Sequence, residues 1–339
     1  MTRNQSWLRR FSKLTCFSTL FLIFAGSMVT STGSGLAVPD WPLSYGMLFP
    51  PMVGGVFYEH GHRMIAATVG FFTLVLSIWL AFSEKRTWVR VLGFAALGTV
   101  IAQGVLGGIT VLLMLPDAVS VSHAVLSQTF FILTIILAYS LSMERSKREE
   151  SPSPLPLSLR EGEGRVRVAA LFVLGTVYMQ LILGALMRHT ESGLAIPDFP
   201  AMGGYAIPPF NDAMLQTINA WRFKMNLDPV TMNQVLIHFA HRVGAILVII
   251  SFVILDLNVI KLKIANSRIR KTIITLNLLV IAQIALGAFT IWARKAPLVA
   301  SVHVVIGASI LGLSTLLLLR VLPLSLKNLR SNTCVSKLS

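Results

Sequence analysis

Residues 26–42 read GSMVTSTGSGLAVPDWP, and residues 184–200 read GALMRHTESGLAIPDFP. The two blocks align without a gap at an offset of 158, sharing SGLA, a β-branched residue and then Pro-Asp-aromatic-Pro. A block of this length written twice marks an internal repeat, and a repeat has to be found before any single element is interpreted. Working outward, EHGHR (59–63) aligns with HFAHR (238–242) at an offset of 179, so the second copy carries 21 extra residues, placed within 211–232. IAQGVLGGIT (101–110) then aligns with IAQIALGAFT (281–290), and His123 with His303, at an offset of 180.

Composition says what the repeat is made of. The 339-residue chain is 54% hydrophobic and 13% charged, where soluble domains carry about 25% charged residues. Apolar stretches near 14–32, 62–82, 89–113, 119–142, 168–188, 236–257, 272–292 and 299–322 each approach the ~20 residues a helix needs to cross a bilayer. The first lies behind a basic segment, as a cleavable signal peptide would. Its match to the fifth span in mid-chain marks it as a true helix. The expected fold class is all-α integral membrane: eight transmembrane helices as two four-helix bundles. Four spans per copy return the chain to its starting side, so the copies are parallel and related by a pseudo-twofold axis along the membrane normal.

The formal charge of +15 does not point to nucleic acid, because the basic residues alternate by loop. Arg3, Arg9, Arg10 and Lys13 precede the first span, and Lys85, Arg86 and Arg90 follow the second. Further clusters lie in 145–167, in 261–271 and in the tail at Lys327, Arg330 and Lys337. The loops after spans 1 and 3 have no Lys or Arg. Such alternation places both termini in the cytoplasm. The expected domains are 1–143, a charged, Pro/Ser-rich cytoplasmic linker 144–166, and 167–339. The Pro- and Gly-rich segment 33–58 reads as an ordered, non-helical outer loop. Cys16 and Cys334 make no disulfide framework.

The repeat sorts the seven histidines. His62 aligns with His241, each followed by an arginine (Arg63, Arg242), and His123 aligns with His303; His60, His189 and His238 align with Phe239, Ser31 and Glu59. Each copy thus offers two histidines near the outer ends of its spans. Two neutral imidazoles on facing helices can supply both axial positions of a haem iron. Zinc wants more ligands. The competing reading of each histidine is an interfacial or hydrogen-bonded side chain. Arg63 and Arg242 are candidates to pair with haem propionates, or to snorkel to the headgroups. Gly104, Gly107, Gly108 and Gly287 allow close helix approach or make room for a porphyrin. Glu59 stands three residues before His62, on the same helix face, where the second copy has His238. It is either a carboxylate available for proton transfer or charge stabilisation or an acid favoured at a helix start.

Eight spans in two halves, GSGLAVPDWP in the first outer loop, E-x-x-H-R opening span 2 and matching histidines in spans 4, 6 and 8 resemble the haem A synthase family. The resemblance covers the chain apart from the tails, the linker and the 211–232 insertion. It implies an oxidoreductase that converts the C8 methyl of haem O to a formyl group by successive hydroxylation, for cytochrome oxidase. It further implies a resident haem b on His241 and His303 in the C-terminal half, substrate haem flanked by His62 and His123 in the N-terminal half, and Glu59 as the essential carboxylate. The expected setting is the bacterial inner membrane, with the haem sites toward the outer face. Membrane lipid, haem O synthase (the farnesyltransferase), an electron-transfer partner or quinone and a second copy of the chain are the partners to consider. Some members carry a cysteine pair in the first outer loop; 33–58 here has none, which assigns the chain to the subgroup lacking it. The rival functions are a di-haem b-type electron-transfer cytochrome and a transporter with parallel repeats. The insertion reads as a lid or a docking surface.

Overall fold

The computed structural model describes residues 3–150, 157–262 and 266–322. Cys334 and the basic tail residues Lys327, Arg330 and Lys337 lie outside the described residues. The regular structure described is helical: α1 (Arg3–Ser31), α2 (Gly55–Ser83), α3 (Thr87–Leu112), α4 (Asp117–Ser140), α5 (Met143–Glu150), α6 (Leu157–His189), α7 (Asp212–Lys224), α8 (Met232–Lys261), α9 (Ser267–Trp292) and α10 (Pro297–Val321). Eight of these are long and apolar enough to cross a membrane, all but α5 and α7. The chain is a multi-pass membrane protein.

Several ends are dictated by single residues. Gly54 at φ 55° turns the chain into α2, and Gly55 follows where a Cβ would lie 2.7 Å from Ala37. The helix therefore begins seven residues before the apolar stretch does, which puts Glu59 inside the helix rather than in its first turn. α8 opens with a capping box from Thr231 and Gln234, which satisfies two otherwise orphaned amides. Pro297 starts α10, a position where its missing N–H costs nothing. The turn after α3 holds Met114 and Leu115 at positive φ, and the turn after α9 holds Arg294 and Lys295 likewise. The repeat thus extends to backbone detail.

The helices divide into two sets. α1 packs on α2 and α4, with α3 on α2 and α4; α6 packs on α8 and α10, with α9 on α8 and α10. Contacts between the sets run α1 to α10, α4 to α6 and α4 to α10. These pairings exchange with one another when each helix is replaced by its repeat partner. Large apolar side chains such as Phe71, Ile78, Phe82, Leu278 and Ile281 lie on the outside, as they do when lipid is the solvent. The buried faces use smaller groups. Ser77 donates across to the Gly93 carbonyl (2.8 Å), and Thr176 meets Ser251 (2.9 Å), the small-residue and hydroxyl contacts that hold helices together in lipid.

The linker differs from an aperiodic tether. Its first part is α5, where Arg145 pairs with Glu149 one turn on (2.8 Å), and Glu144 accepts both Nε and Nη2 of Arg320 on α10 (2.9 Å each). The insertion is likewise packed down. Met214 and Ile218 of α7 join Ala195, Ile196, Val230 and Val235 in one apolar cluster, and buried Arg222 donates to the carbonyls of Leu194 (2.5 Å) and Asp228 (2.7 Å). α7 is thus a fixed part of the second long loop.

Candidate functional site

Both long loops follow one plan. Asp40 accepts the N–H groups of Tyr45 (2.7 Å) and Gly46 (2.9 Å); Asp198 accepts those of Gly203 (2.8 Å) and Gly204 (2.9 Å). Both central residues of each turn have positive φ, which a turn of this hand requires and which Gly46 and Gly204 adopt at no steric cost. The aromatic–proline bonds Trp41–Pro42 and Phe199–Pro200 are both cis. Trp41 lies over Gly108 of α3, where a Cβ would come within 2.6 Å of its ring. That explains Gly108: it seats the loop on the bundle.

Asp40 lies outside the spans. The amides of Gly46 and Tyr45 hold its carboxyl below the usual carboxylate range. A group whose folded pKa is lowered contributes stability that is present above the unfolded value, about 3.9, and lost as pH falls through the folded one. The first loop is therefore expected to keep its structure from neutral pH down to about 5 and to loosen only below about 4. Trp41 emission, with Trp41→Phe as the blank, reads this. A transition centred at or above pH 5 would contradict it.

The E-x-x-H-R and H-x-x-H-R segments clamp these loops. The two Nη atoms of Arg63 donate to the carbonyls of Asp40 (2.8 Å), Leu43 (2.9 Å) and Val38 (3.0 Å) and to Glu59 Oε1 (2.6 Å). Glu59 Oε2 accepts the N–H of Val38 (2.7 Å). In the second copy Arg242 donates to Ala201 (2.9 Å), Asp198 (2.7 Å) and Ile196 (3.2 Å) carbonyls. His238 Nδ1 takes the N–H of Ile196 (3.1 Å), and its Nε2 lies 3.2 Å from Arg242 Nε. The difference between Glu59 and His238 is therefore not by itself a mark of chemistry, because both residues hold the equivalent loop amide. A neutral imidazole offers one lone pair and can satisfy only one of its two neighbours, whereas the carboxylate satisfies both. The arginines expected to meet propionates are spending their guanidinium hydrogens on loop carbonyls instead.

The four repeat-matched histidines share a different environment. A Cβ on Gly26 would lie 2.9 Å from the His62 ring, on Gly107 3.0 Å from His123, on Gly184 3.3 Å from His241 and on Gly287 3.3 Å from His303. Each ring is thus seated on a glycine of a neighbouring helix, and Gly26/Gly184 and Gly107/Gly287 are repeat partners. His62 and His123 are close enough to interact electrostatically, as are His241 and His303. Nδ1 of His62, His123 and His303 is buried without a hydrogen bond. An unpaired buried group costs about 1–3 kcal/mol, so three at matched places call for an external partner. Glutamines attend three of these histidines: Gln103 Nε2 donates to the His123 carbonyl (2.9 Å), Gln283 Nε2 lies 3.2 Å from His303 Nε2, and Gln180 Nε2 donates to the His241 carbonyl (2.9 Å) and lies 3.2 Å from its Nδ1. Among the described residues no three His, Cys, Asp or Glu side chains gather as a metal site. Paired imidazoles, each backed by a glycine, fit a bis-histidine haem.

The remaining histidines stand elsewhere. His60 bonds Ser44 Oγ through Nδ1 (2.8 Å) and has a buried, unpartnered Nε2; two residues from His62, it faces the loop. His189 ends α6 within electrostatic reach of His123 and Asp117. Sequence reasoning missed Gly26 and Gly184, which begin the aligned repeat, and Gln103 and Gln283, which lie in IAQGVLGGIT and IAQIALGAFT. It also missed Arg188, where the first copy has Thr30. Gly104 has nothing within 4 Å of its Cβ direction and no visible role.

A family model described as cytochrome oxidase assembly protein, COX15-CtaA, matches residues 54–315. Among curated proteins, the Heme A synthase of Alkalihalophilus pseudofirmus is 27% identical over 208 residues, spanning 59% of this chain and 66%, just under two thirds, of that protein. The Heme A synthase of Symbiobacterium thermophilum is 27% identical over 246 residues, covering 72% of each chain. That of Geobacillus kaustophilus is 26% identical over 325 residues, covering 94% of this chain and 92% of its own.

Proposed function

This chain belongs to the COX15-CtaA family of cytochrome oxidase assembly proteins, and from that premise we propose that it is a haem A synthase, oxidising the C8 methyl of haem O to a formyl group. The observation that carries the site assignment is the twofold recurrence of a histidine pair in which every ring rests on a repeat-matched glycine. His241 and His303 would hold a resident haem b, and His62 and His123 the substrate haem. A bis-histidine haem supplies one-electron redox chemistry when bound.

The chain's own residues do the rest. The long loops, pinned by Arg63 and Arg242, cover the histidine-bearing ends of the helices and keep bulk water from them. Glu59 sits one turn from His62 and about 60° round the helix, so its carboxylate borders the N-terminal site. Releasing either Val38 N–H or Arg63 frees an oxygen at Oε2 or Oε1 to hold a proton. The charge alternation of the loops supports cytoplasmic termini and a site toward the outer face of the inner membrane. The domain assignment follows: 1–143 receives substrate, 167–339 holds the cofactor, and the 144–166 linker joins them. A haem O-supplying farnesyltransferase and an electron-transfer partner complete the reading.

Purified protein from cells that also make haem O is expected to yield haem B together with haem A or its hydroxylated precursor on extraction and mass analysis. Haem B alone, at two equivalents per chain, would instead identify an electron-transfer cytochrome.

A further inference from the structure

Arg188 is a cation without an assigned task. It stands on α6 four residues beyond Gly184, one turn further along the same face, and Gly184 is the residue on which the His241 ring rests. Nη2 of Arg188 donates to the Ser27 carbonyl and to Ser31 Oγ (2.7 Å) on α1. Ser31 Oγ also accepts from Ser301 Oγ (3.0 Å) on α10, two residues before His303. Arg188 therefore sits where α1, α6 and α10 meet, within electrostatic reach of His303.

Its partners are all neutral. Glu191, the acid within electrostatic reach of it, is paired with Lys295 (2.9 Å). Among the described residues Nε and Nη1 of Arg188 donate no hydrogen bond. A guanidinium among apolar helices without a counter-ion is costly and is usually placed for a ligand. The donors left at Nε and Nη1 point from different edges of the guanidinium, and either can give a carboxylate oxygen one charge-assisted hydrogen bond. Arg63 and Arg242, by contrast, are consumed by the loops. In the first copy the same place is taken by Thr30, whose hydroxyl only reaches back to the Gly26 carbonyl (3.5 Å). On the α6 side of that site His189, an imidazole and so only a conditional cation, lies within electrostatic reach of His123.

We propose that Arg188 anchors a carboxylate of the porphyrin held by His241 and His303, and that Thr30 at the matching place leaves the porphyrin between His62 and His123 without such an anchor. One site then retains its haem and the other exchanges it, which is the difference a cofactor site and a substrate site need. The inference rests on the histidine assignment above, and its test separates the two.

Full-length protein in detergent is loaded with haem B or with haem B dimethyl ester, in which both carboxylates are masked, and release to excess apomyoglobin is followed at the Soret band. From the slowly exchanging site the wild type should lose the diester about 10- to 100-fold faster than haem B. Arg188→Gln should lose both porphyrins at one fast rate, Arg188→Lys should fall between, and Thr30→Arg should slow haem B release from the faster site. If Arg188 only stitches α6 to α1, Arg188→Gln will speed both porphyrins alike and keep the wild-type ratio, which overturns the proposal. A wild-type ratio near one, which needs no variant to fold, overturns it equally. Retention of the slow phase in His241→Ala would instead overturn the histidine assignment, and the proposal with it.

Discussion

His241→Ala is expected to remove the resident haem while leaving the protein able to receive haem O. The His241 ring rests on Gly184, and its repeat partner His62 rests on Gly26, so each substitution empties one ring position and leaves the backbone seat intact. Haem B recovered from His241→Ala should fall to about a tenth or less of wild type, because a ligand bond contributes directly to the binding free energy. The folded state loses what a tightly held ligand adds, about 4 kcal/mol for a cofactor present at a thousand times its dissociation constant, so the thermal midpoint should fall too. His62→Ala should retain haem B and its thermal midpoint but accumulate unconverted haem O. Extraction of both variants, with absorbance spectra before extraction, reads the result. Equal loss of haem B from both would mean that the two sites are not specialised as proposed.

Much of this arrangement is legible in the chain because the repeat acts as an internal comparison. The eight spans follow from hydropathy alone, and the pairing of His62 with His241 and of His123 with His303 follows from offsets. What the offsets miss depends on what each residue touches. Gly26 and Gly184 look like ordinary small residues in an apolar run until the rings they seat are seen. Arg63 and Arg242 sit beside histidines in sequence and so suggest a propionate. Their side chains instead climb the helix toward carbonyls of loops twenty or more residues away, which no local pattern encodes. Arg188 illustrates the opposite case: the alignment sets it against Thr30, a departure from the repeat that says nothing until the partners of the side chain on α1 are seen. The start of α2 departs from the apolar stretch for a related reason. The apolar stretch marks where lipid begins, whereas α2 starts where Gly55 fits against Ala37.

The same structural equivalence makes Glu59 testable in a way that alanine is not. Glu59→Ala removes the acceptor of the Val38 amide and the counter-ion of Arg63 together, and leaving a buried charge unpaired costs about 3–5 kcal/mol. Loss of conversion in that variant would report a collapsed loop as readily as missing chemistry. Glu59→His restores the amide acceptor without the charge, the arrangement in which His238 holds Ile196 beside Arg242 in the second copy, and the first loop is built on the same plan as the second. The variant is expected to fold, to keep haem B and to bind haem O. If the carboxylate handles a proton or stabilises charge in the reaction, conversion should still drop by about 10²–10⁴-fold. The reciprocal His238→Glu, which supplies both lone pairs that Ile196 N–H and Arg242 require, should keep haem B and full conversion. Conversion by Glu59→His within a few-fold of wild type would show that Glu59 serves only to fasten the loop, and the proton-handling group would then have to be sought at His60, whose buried Nε2 has no partner.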